Sequence, residues 1–122
     1  LIVQAPTGTG KTGAFGIPIS QLIDPRKRSA QALIMSPTRE LAIQTTRVLQ
    51  KLTQFQKGVR IVTLYGGEPI GRQLSALRSS PQIIVATPGR LLDLIELRSI
   101  LLSRILLVHL APRLSRIGAP QL

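Results

Sequence analysis

The amino-acid sequence predicts an α/β fold in which helices flank a parallel sheet, and two observations lead to this prediction. Short apolar runs alternate along the chain with segments of helical periodicity, and this alternation is typical of parallel sheets. The apolar runs, such as LIV at 1–3, are nearly continuous, as expected for strands that are buried on both faces. With 122 residues, the chain forms one domain at most.

The predicted strands and helices follow one another in four units. The strand-like segments are 1–4, 31–36, 59–65 and 82–86, and the helix-like segments are 11–22, 38–55, 69–79 and 88–97. The first helix is expected to bend or end near Pro18, because proline lacks the amide hydrogen that a helix interior requires. A polar turn, DPRKRS at 24–29, separates the first unit from the second.

A glycine-rich loop follows the first predicted strand, where residues 5–12 read APTGTGKT. Gly8 and Gly10 allow a tight turn whose backbone N–H groups can surround an anion. Lys11 adds a positive charge that reaches the outer phosphates of a nucleotide, and Thr12 offers a hydroxyl to Mg²⁺. The loop and the helix N-terminus after it therefore predict a nucleotide-phosphate site. The alternative is a glycine-rich turn that ends in Lys-Thr by chance.

Composition narrows the class of partner. Sixteen Lys and Arg residues against five acids give a net charge of +11, which favours partners that carry phosphate. A solvated basic surface, or a charge left unbalanced because acidic parts of a longer protein are missing, would give the same number. One Tyr and two Phe residues argue against a platform on which bases stack.

Two absences bear on location. The sequence contains no cysteine, which excludes disulfides and thiolate metal sites and makes an intracellular location the expectation, without distinguishing cytoplasm from nucleus. It has no signal-peptide pattern and no apolar run of about 18 residues, so we expect no membrane partner.

Three further junctions lie where ligands bind in parallel sheets, beyond the carboxyl ends of the strands. Residues 36–39 read SPTR and residues 87–90 read TPGR. Each offers a hydroxyl cap, a proline suited to the first helical position and an arginine in the first turn. An arginine there is unfavourable by about 0.3–1 kcal/mol unless an anion is present, because the helix N-terminus is already positive. The Gly66-Gly67 pair follows the third strand. An ordinary capped helix or turn explains each junction singly, and phosphate binding explains them together.

These motifs resemble those of the DEAD-box RNA helicases. APTGTGKT is similar to the first ATP-binding motif of that family, in which the leading Ala is common. PTRELA at 37–42, GG at 66–67 and TPGR at 87–90 resemble its successive RNA-contacting motifs, in the right order. The resemblance covers residues 1 to about 100 and implies an incomplete RecA-like P-loop domain, the first of two in full-length relatives. It divides the chain into a partial ATP-binding domain, 1–104, and a divergent tail, 105–122.

The resemblance implies specific ligands. ATP and Mg²⁺ are the implied cofactors, with Thr12 at the metal, and RNA is the implied partner through its sugar–phosphate backbone. The implied nucleotide-binding residues are Ala5, Thr7, Gly8, Thr9, Gly10, Lys11 and Thr12. The implied RNA-binding residues are Pro37, Thr38, Arg39, Gly66, Gly67, Thr87, Pro88, Gly89 and Arg90. Phosphate contacts carry little base specificity.

The tail departs from the family pattern. An acidic D-E-A-D segment is expected on a fifth strand near 105–114, but the last acidic residue of the chain is Glu96. The strand-like run at 105–108 is followed by His109 and Leu110, and Pro112 ends it. Without carboxylates to hold Mg²⁺ or orient water, we expect this chain not to hydrolyse ATP. An altered reading frame or a spliced tail would explain the departure.

Three functions remain open from the sequence. The first is part of an ATP-dependent RNA helicase. The second is a non-catalytic nucleotide- or RNA-binding module, which the missing acids would allow. The third, a transport or signalling P-loop NTPase, does not explain PTRELA, GG and TPGR together.

Overall fold

A computed structural model of the chain describes residues 2–4, 21, 23–97 and 107–110. The strands are β1 (Ile2–Gln4), β2 (Ala32–Met35), β3 (Ile61–Leu64), β4 (Ile83–Ala86) and β5 (Leu107–Leu110), and the helices are α1 (Arg39–Leu52), α2 (Ile70–Leu77) and α3 (Pro88–Glu96). Each of these helices and of the first four strands lies within its predicted segment and is shorter at one or both ends. The 5–12 loop and most of the predicted helix 11–22 lie outside the described residues.

The five strands form one parallel sheet in the order β1-β5-β2-β4-β3. This confirms the predicted fold class. Residues 107–110 of the predicted tail belong to this sheet, because β5 lies between β1 and β2. His109 pairs with Val3 on one side and with Ile34 on the other. β5 extends to Leu110, two residues beyond the strand-like run predicted at 105–108, because His109 and Leu110 pair with both neighbouring strands.

The core has two layers, one on each face of the sheet. Alternate residues of a strand point to opposite faces, so Ile34 packs beneath α1 while Leu33 packs beneath α2 and α3. The buried residues on the α1 side are Ile23, Ala32, Ile34, Ala42, Leu49, Ile83 and Val85. Those on the other side are Leu33, Leu64, Ile84, Ala86, Leu91 and Leu94. Helices on both faces explain why the strands are apolar throughout.

One threonine of α1 contacts β3, and a second threonine lies at the C-terminal end of the helix. The hydroxyl of Thr46 donates to the carbonyl of Ala42 at 2.9 Å and lies 2.6 Å from the hydroxyl of Thr63 on β3. The hydroxyl of Thr53 donates to the carbonyl of Leu49 at 2.8 Å, where the helix ends.

None of the described helices has the length and apolar character needed to span a membrane.

A buried glutamine joins three loops at the amino ends of the strands. Gln82 is 1% exposed. Its amide nitrogen donates to the carbonyls of Gly58 at 2.9 Å and Pro25 at 3.2 Å, and its amide oxygen accepts the backbone N–H of Arg60 at 2.8 Å. This side chain, from the segment before β4, therefore satisfies three backbone groups in the segments before β2 and β3.

We expect Gln82→Met to lower the free energy of unfolding by about 1–3 kcal/mol, because methionine fills a similar volume and leaves the three backbone groups without their partner. Urea unfolding of the 122-residue chain measures this change. Gln50→Met, at an exposed position of α1, is the matched control and should change stability by less than about 0.5 kcal/mol. Equal effects of the two substitutions would contradict the role of Gln82.

Candidate functional site

The sheet brings three of the predicted motifs together. Strands β2, β4 and β3 are neighbours in that order, so the segments that follow their carboxyl ends begin side by side. These segments, 36–39, 87–90 and 65–68, are called the carboxyl edge below. The 5–12 loop lies outside the described residues, and its predicted nucleotide contacts with Ala5 to Thr12 stay predictions.

The segment after β2 leads into α1. Ser36 is fully buried, and its backbone N–H donates to the carbonyl of Ala86 at 2.8 Å, which continues the pairing with β4. Thr38 is the N-cap, and its hydroxyl accepts the backbone N–H of Leu41 at 3.2 Å. A hydroxyl cap was predicted in the SPTR segment ahead of Pro37, at Ser36, and the structure places it two residues later, at Thr38. Pro37 precedes the cap and is not the first helical residue, so that part of the prediction was wrong.

Arg39 is the first residue of α1 and is exposed. Its guanidinium carbon lies 4.8 Å from the centroid of the Tyr65 ring. A cation over an aromatic ring at an exposed site is stabilised by about 0.5–1 kcal/mol, so Tyr65 orients the arginine without neutralising its charge. The contact also links the segment after β2 to the segment after β3.

The segment after β4 leads into α3. Thr87 occupies the N-cap position, and Pro88 is the first helical residue as predicted. The Thr87 side chain makes no capping hydrogen bond, so the predicted hydroxyl cap is wrong at this helix. Pro88 and Gly89 are exposed, which leaves the start of α3 open to a ligand.

The segment after β3 contains the Gly66-Gly67 pair, and both glycines are exposed. Gly67 has φ of +84°, a backbone conformation that side chains with a Cβ rarely adopt. An added Cβ would meet no atom within 4 Å at either glycine. The need for glycine at position 67 is therefore conformational, and the space above both residues is free.

A hydrogen-bond network that sequence reasoning missed lies behind this loop. The Gln73 amide nitrogen donates to the Tyr65 carbonyl at 2.9 Å and to the Glu68 carboxylate at 3.3 Å. Arg90 donates from Nη1 to the Gln73 amide oxygen and from Nη2 to the Glu68 carbonyl, both at 3.0 Å. Gln73 is 3% exposed. Gln73 lies on the apolar face of α2, three residues after Ile70. A polar residue at a position where helical periodicity predicts an apolar one is the sequence signal that could have identified it.

The cationic side chains are not concentrated at the carboxyl edge. Among the described residues of that edge, only Arg39 and Arg90 are basic, and the Arg90 side chain is 11% exposed with Nε 3.8 Å from the Asp93 carboxylate. Exposed cations also occupy the segments near the amino ends of the strands: Arg26, Lys27, Arg28, Lys57, Arg60 and Arg78. Near the amino ends of the strands, the pKa of Asp24 lies below its usual value. The larger cause is the hydrogen bond from the backbone N–H of Arg26, and the second is the hydrogen bond from the Arg26 side chain.

No metal centre is assembled within the described ranges, since no group of three or more His, Asp or Glu side chains there could hold an ion. The proposed metal ligand Thr12 lies outside these ranges.

Known proteins similar to this chain share one family. A model of the DEAD/DEAH box helicases matches residues 1–109. The chain is 51% identical to the ATP-dependent RNA helicase CshA of Listeria monocytogenes over 105 residues, which are 86% of this chain and 20% of that protein. It is equally similar to the DEAD-box ATP-dependent RNA helicase CshA of Bacillus subtilis, over 21% of its length. The chain thus spans about a fifth of these relatives.

Two solved structures have the same fold. The yeast DEAD-box splicing factor Prp28 matches with a TM-score of 0.78 and 31% identity, over 90% of this chain and 27% of that one. A DEAD box protein from the hyperthermophile Methanococcus jannaschii matches with a TM-score of 0.77 and 29% identity, over 94% of this chain and 39% of that one. These matches confirm the predicted RecA-like fold and the family resemblance.

The two threonines at the helix starts should differ in their effect on stability. We expect Thr38→Ala to lower the free energy of unfolding by about 1 kcal/mol, because it removes the cap of α1. Thr87→Ala should lower it by less than about 0.5 kcal/mol, because its hydroxyl caps nothing. Urea unfolding of both variants checks the difference, and a larger loss for Thr87→Ala would contradict the assignment of the caps.

Proposed function

The chain belongs to the DEAD/DEAH box helicase family, and on this premise we propose that it is part of an ATP-dependent RNA helicase that binds ATP phosphates at the 5–12 loop and the RNA backbone at the carboxyl edge. The observation that carries the proposal is the adjacency of 36–39, 65–68 and 87–90, three segments suited to phosphate that begin at neighbouring strand ends. In a full-length relative, a second RecA-like domain would face this edge.

The groups offered at the carboxyl edge suit a phosphate backbone. Arg39 supplies an exposed charge that Tyr65 orients. The exposed Gly66 and Gly67 allow close approach of a ligand to the backbone. The proposed RNA contacts are Pro37, Thr38, Arg39, Gly66, Gly67, Thr87, Pro88 and Gly89. Such contacts position a strand without reading its sequence, so we expect binding that tolerates any base.

ATP and Mg²⁺ are proposed as cofactors on the sequence of the 5–12 loop. Its glycines and Lys11 suit the phosphates, and Thr12 suits the metal. When bound, the ion would neutralise charge on the transferring phosphoryl group.

We propose that this chain binds nucleotide without hydrolysing it. β5 lies between β1 and β2, with Leu110 level with Gln4 and Met35. The chain continues there with Ala111, Pro112 and Arg113 and contains no acid beyond Glu96. Carboxylates that hold the metal and orient water are thus missing from the sequence. The same observation favours the second candidate, a non-catalytic nucleotide- or RNA-binding module.

RNA binding should depend on salt and on Arg39. The logarithm of the association constant for a single-stranded RNA falls with the logarithm of salt concentration in proportion to the phosphates neutralised, at about 0.7 per phosphate. We expect Arg39→Ala to reduce the magnitude of that slope by about 0.7 without changing base preference, as measured by fluorescence anisotropy. Arg47→Ala, an exposed arginine on the same helix, is the matched control. An unchanged slope for Arg39→Ala would exclude the proposed contact.

Nucleotide binding should depend on Lys11 and should occur without turnover. Hydrogen bonds to charged groups contribute about 1.5–3 kcal/mol, so we expect Lys11→Ala to weaken binding of a non-hydrolysable ATP analogue at least about tenfold by calorimetry. Lys51→Ala, at an exposed position of α1, is the control. A steady-state ATPase assay with RNA should detect no hydrolysis, and turnover that is lost in Lys11→Ala would refute the proposed lack of catalysis.

A further inference from the structure

We propose that Gln73 is a positioning residue that holds the Gly66-Gly67 loop and the Arg90 guanidinium in place for RNA binding, and that Arg90 acts through this loop and not as a phosphate ligand. The inference deepens the proposed RNA site and rests on it. Its structural part, the control of the loop by Gln73, can be tested without RNA.

Gln73 contacts both ends of the glycine pair. Its amide nitrogen donates to the carbonyl of Tyr65, just before the pair, and to the carboxylate of Glu68, just after it. Its amide oxygen accepts from Arg90. At 3% exposure, these bonds are shielded from water, so their loss would leave the buried amide and its partners unsatisfied.

Arg90 completes the same arrangement from α3. Nη2 donates to the Glu68 carbonyl and Nη1 to Gln73, so both terminal nitrogens are held by uncharged oxygens. Nε is buried without a hydrogen bond in the described part of the chain, 3.8 Å from the Asp93 carboxylate. To reach a phosphate, this side chain would have to leave two hydrogen bonds. The bonds of Gln73 and Arg90 to Tyr65 and Glu68 are called the bracket below.

The bracket matters because two consecutive glycines have the greatest backbone freedom in a chain. When such a loop binds a phosphate backbone, it loses conformational entropy, and this loss lowers the affinity. A loop held at both ends has already lost that freedom in the folded protein. The bracket therefore raises RNA affinity without adding a charge contact.

The test substitutes the two residues separately in the 122-residue chain. Gln73→Met keeps the volume and removes every bond of the amide, and Arg90→Met removes the guanidinium. We expect each to weaken binding of single-stranded RNA about three- to tenfold at one salt concentration and to leave the salt slope unchanged, because no phosphate contact is lost. Gln50→Met and Arg78→Met, at exposed positions, are the matched controls and should bind as the parent chain does.

The salt slope separates the two roles of an arginine. If Arg90→Met flattens the slope by about 0.7, as expected of Arg39→Ala, Arg90 is a phosphate ligand and the inference is overturned while the proposed RNA site stands. The double variant should lose no more affinity than the larger single loss, since the two residues act as one unit. Additive losses would overturn the bracket.

Amide hydrogen exchange supplies the readout that needs no RNA. In Gln73→Met we expect faster exchange at residues 66–68 with unchanged exchange in β2 and β4. Unchanged exchange at 66–68 overturns the inference whether or not RNA binds, and failure of the parent chain to bind RNA counts against the proposed function alone. If Gln73→Met does not fold, Gln73→Glu replaces it. Glutamate keeps an acceptor for Arg90 but loses the donor to Tyr65, and we expect the same faster exchange at 66–68.

Discussion

Parallel pairing of β2, β4 and β3 is the constraint on which the rest of the molecule depends. Met35 pairs with Ala86, and Ala86 pairs with Leu64, so the three strands end at one level and the segments after them begin side by side. Two of those segments start helices, and one contains a glycine at positive φ. The RNA contacts proposed above depend on this register, because it brings the three segments to one edge of the sheet.

The tail shows that the fold and the chemistry have separate requirements. β5 completes the sheet between β1 and β2 although the sequence after Glu96 contains no acid. A parallel strand needs backbone hydrogen bonds and apolar side chains, and the LVHL segment meets most of that need. Hydrolysis needs in addition carboxylates that hold the metal and orient water. The sheet therefore forms with a fifth strand that carries no acid, and the family model still matches through residue 109.

Buried glutamines form hydrogen bonds with loop segments at both ends of the sheet. Gln82 joins three segments at the amino ends, and Gln73 holds the glycine pair at the carboxyl ends. An amide both donates and accepts, so it can satisfy carbonyl and N–H groups from different segments at once. A buried lysine or glutamate would have to be desolvated with its charge, which is far less favourable. These neutral amides join loop segments without adding a charge, and Arg39 is the exposed basic residue among the described residues of the carboxyl edge.

Local patterns in the sequence were sufficient for the order of the first four strands and their helices and for Pro88 at the start of α3, because apolar periodicity and helix starts depend on near neighbours. They also identified the motifs that carry the family resemblance. The unused hydroxyl of Thr87, the extent of β5 and the inward-facing Arg90 could not be predicted in this way. The last two depend on groups distant in sequence: β5 on strands about 75 and 105 residues earlier, and Arg90 on Glu68 and Gln73. Contacts of that range form when the sheet assembles, and they decide which arginine of two similar motifs faces solvent.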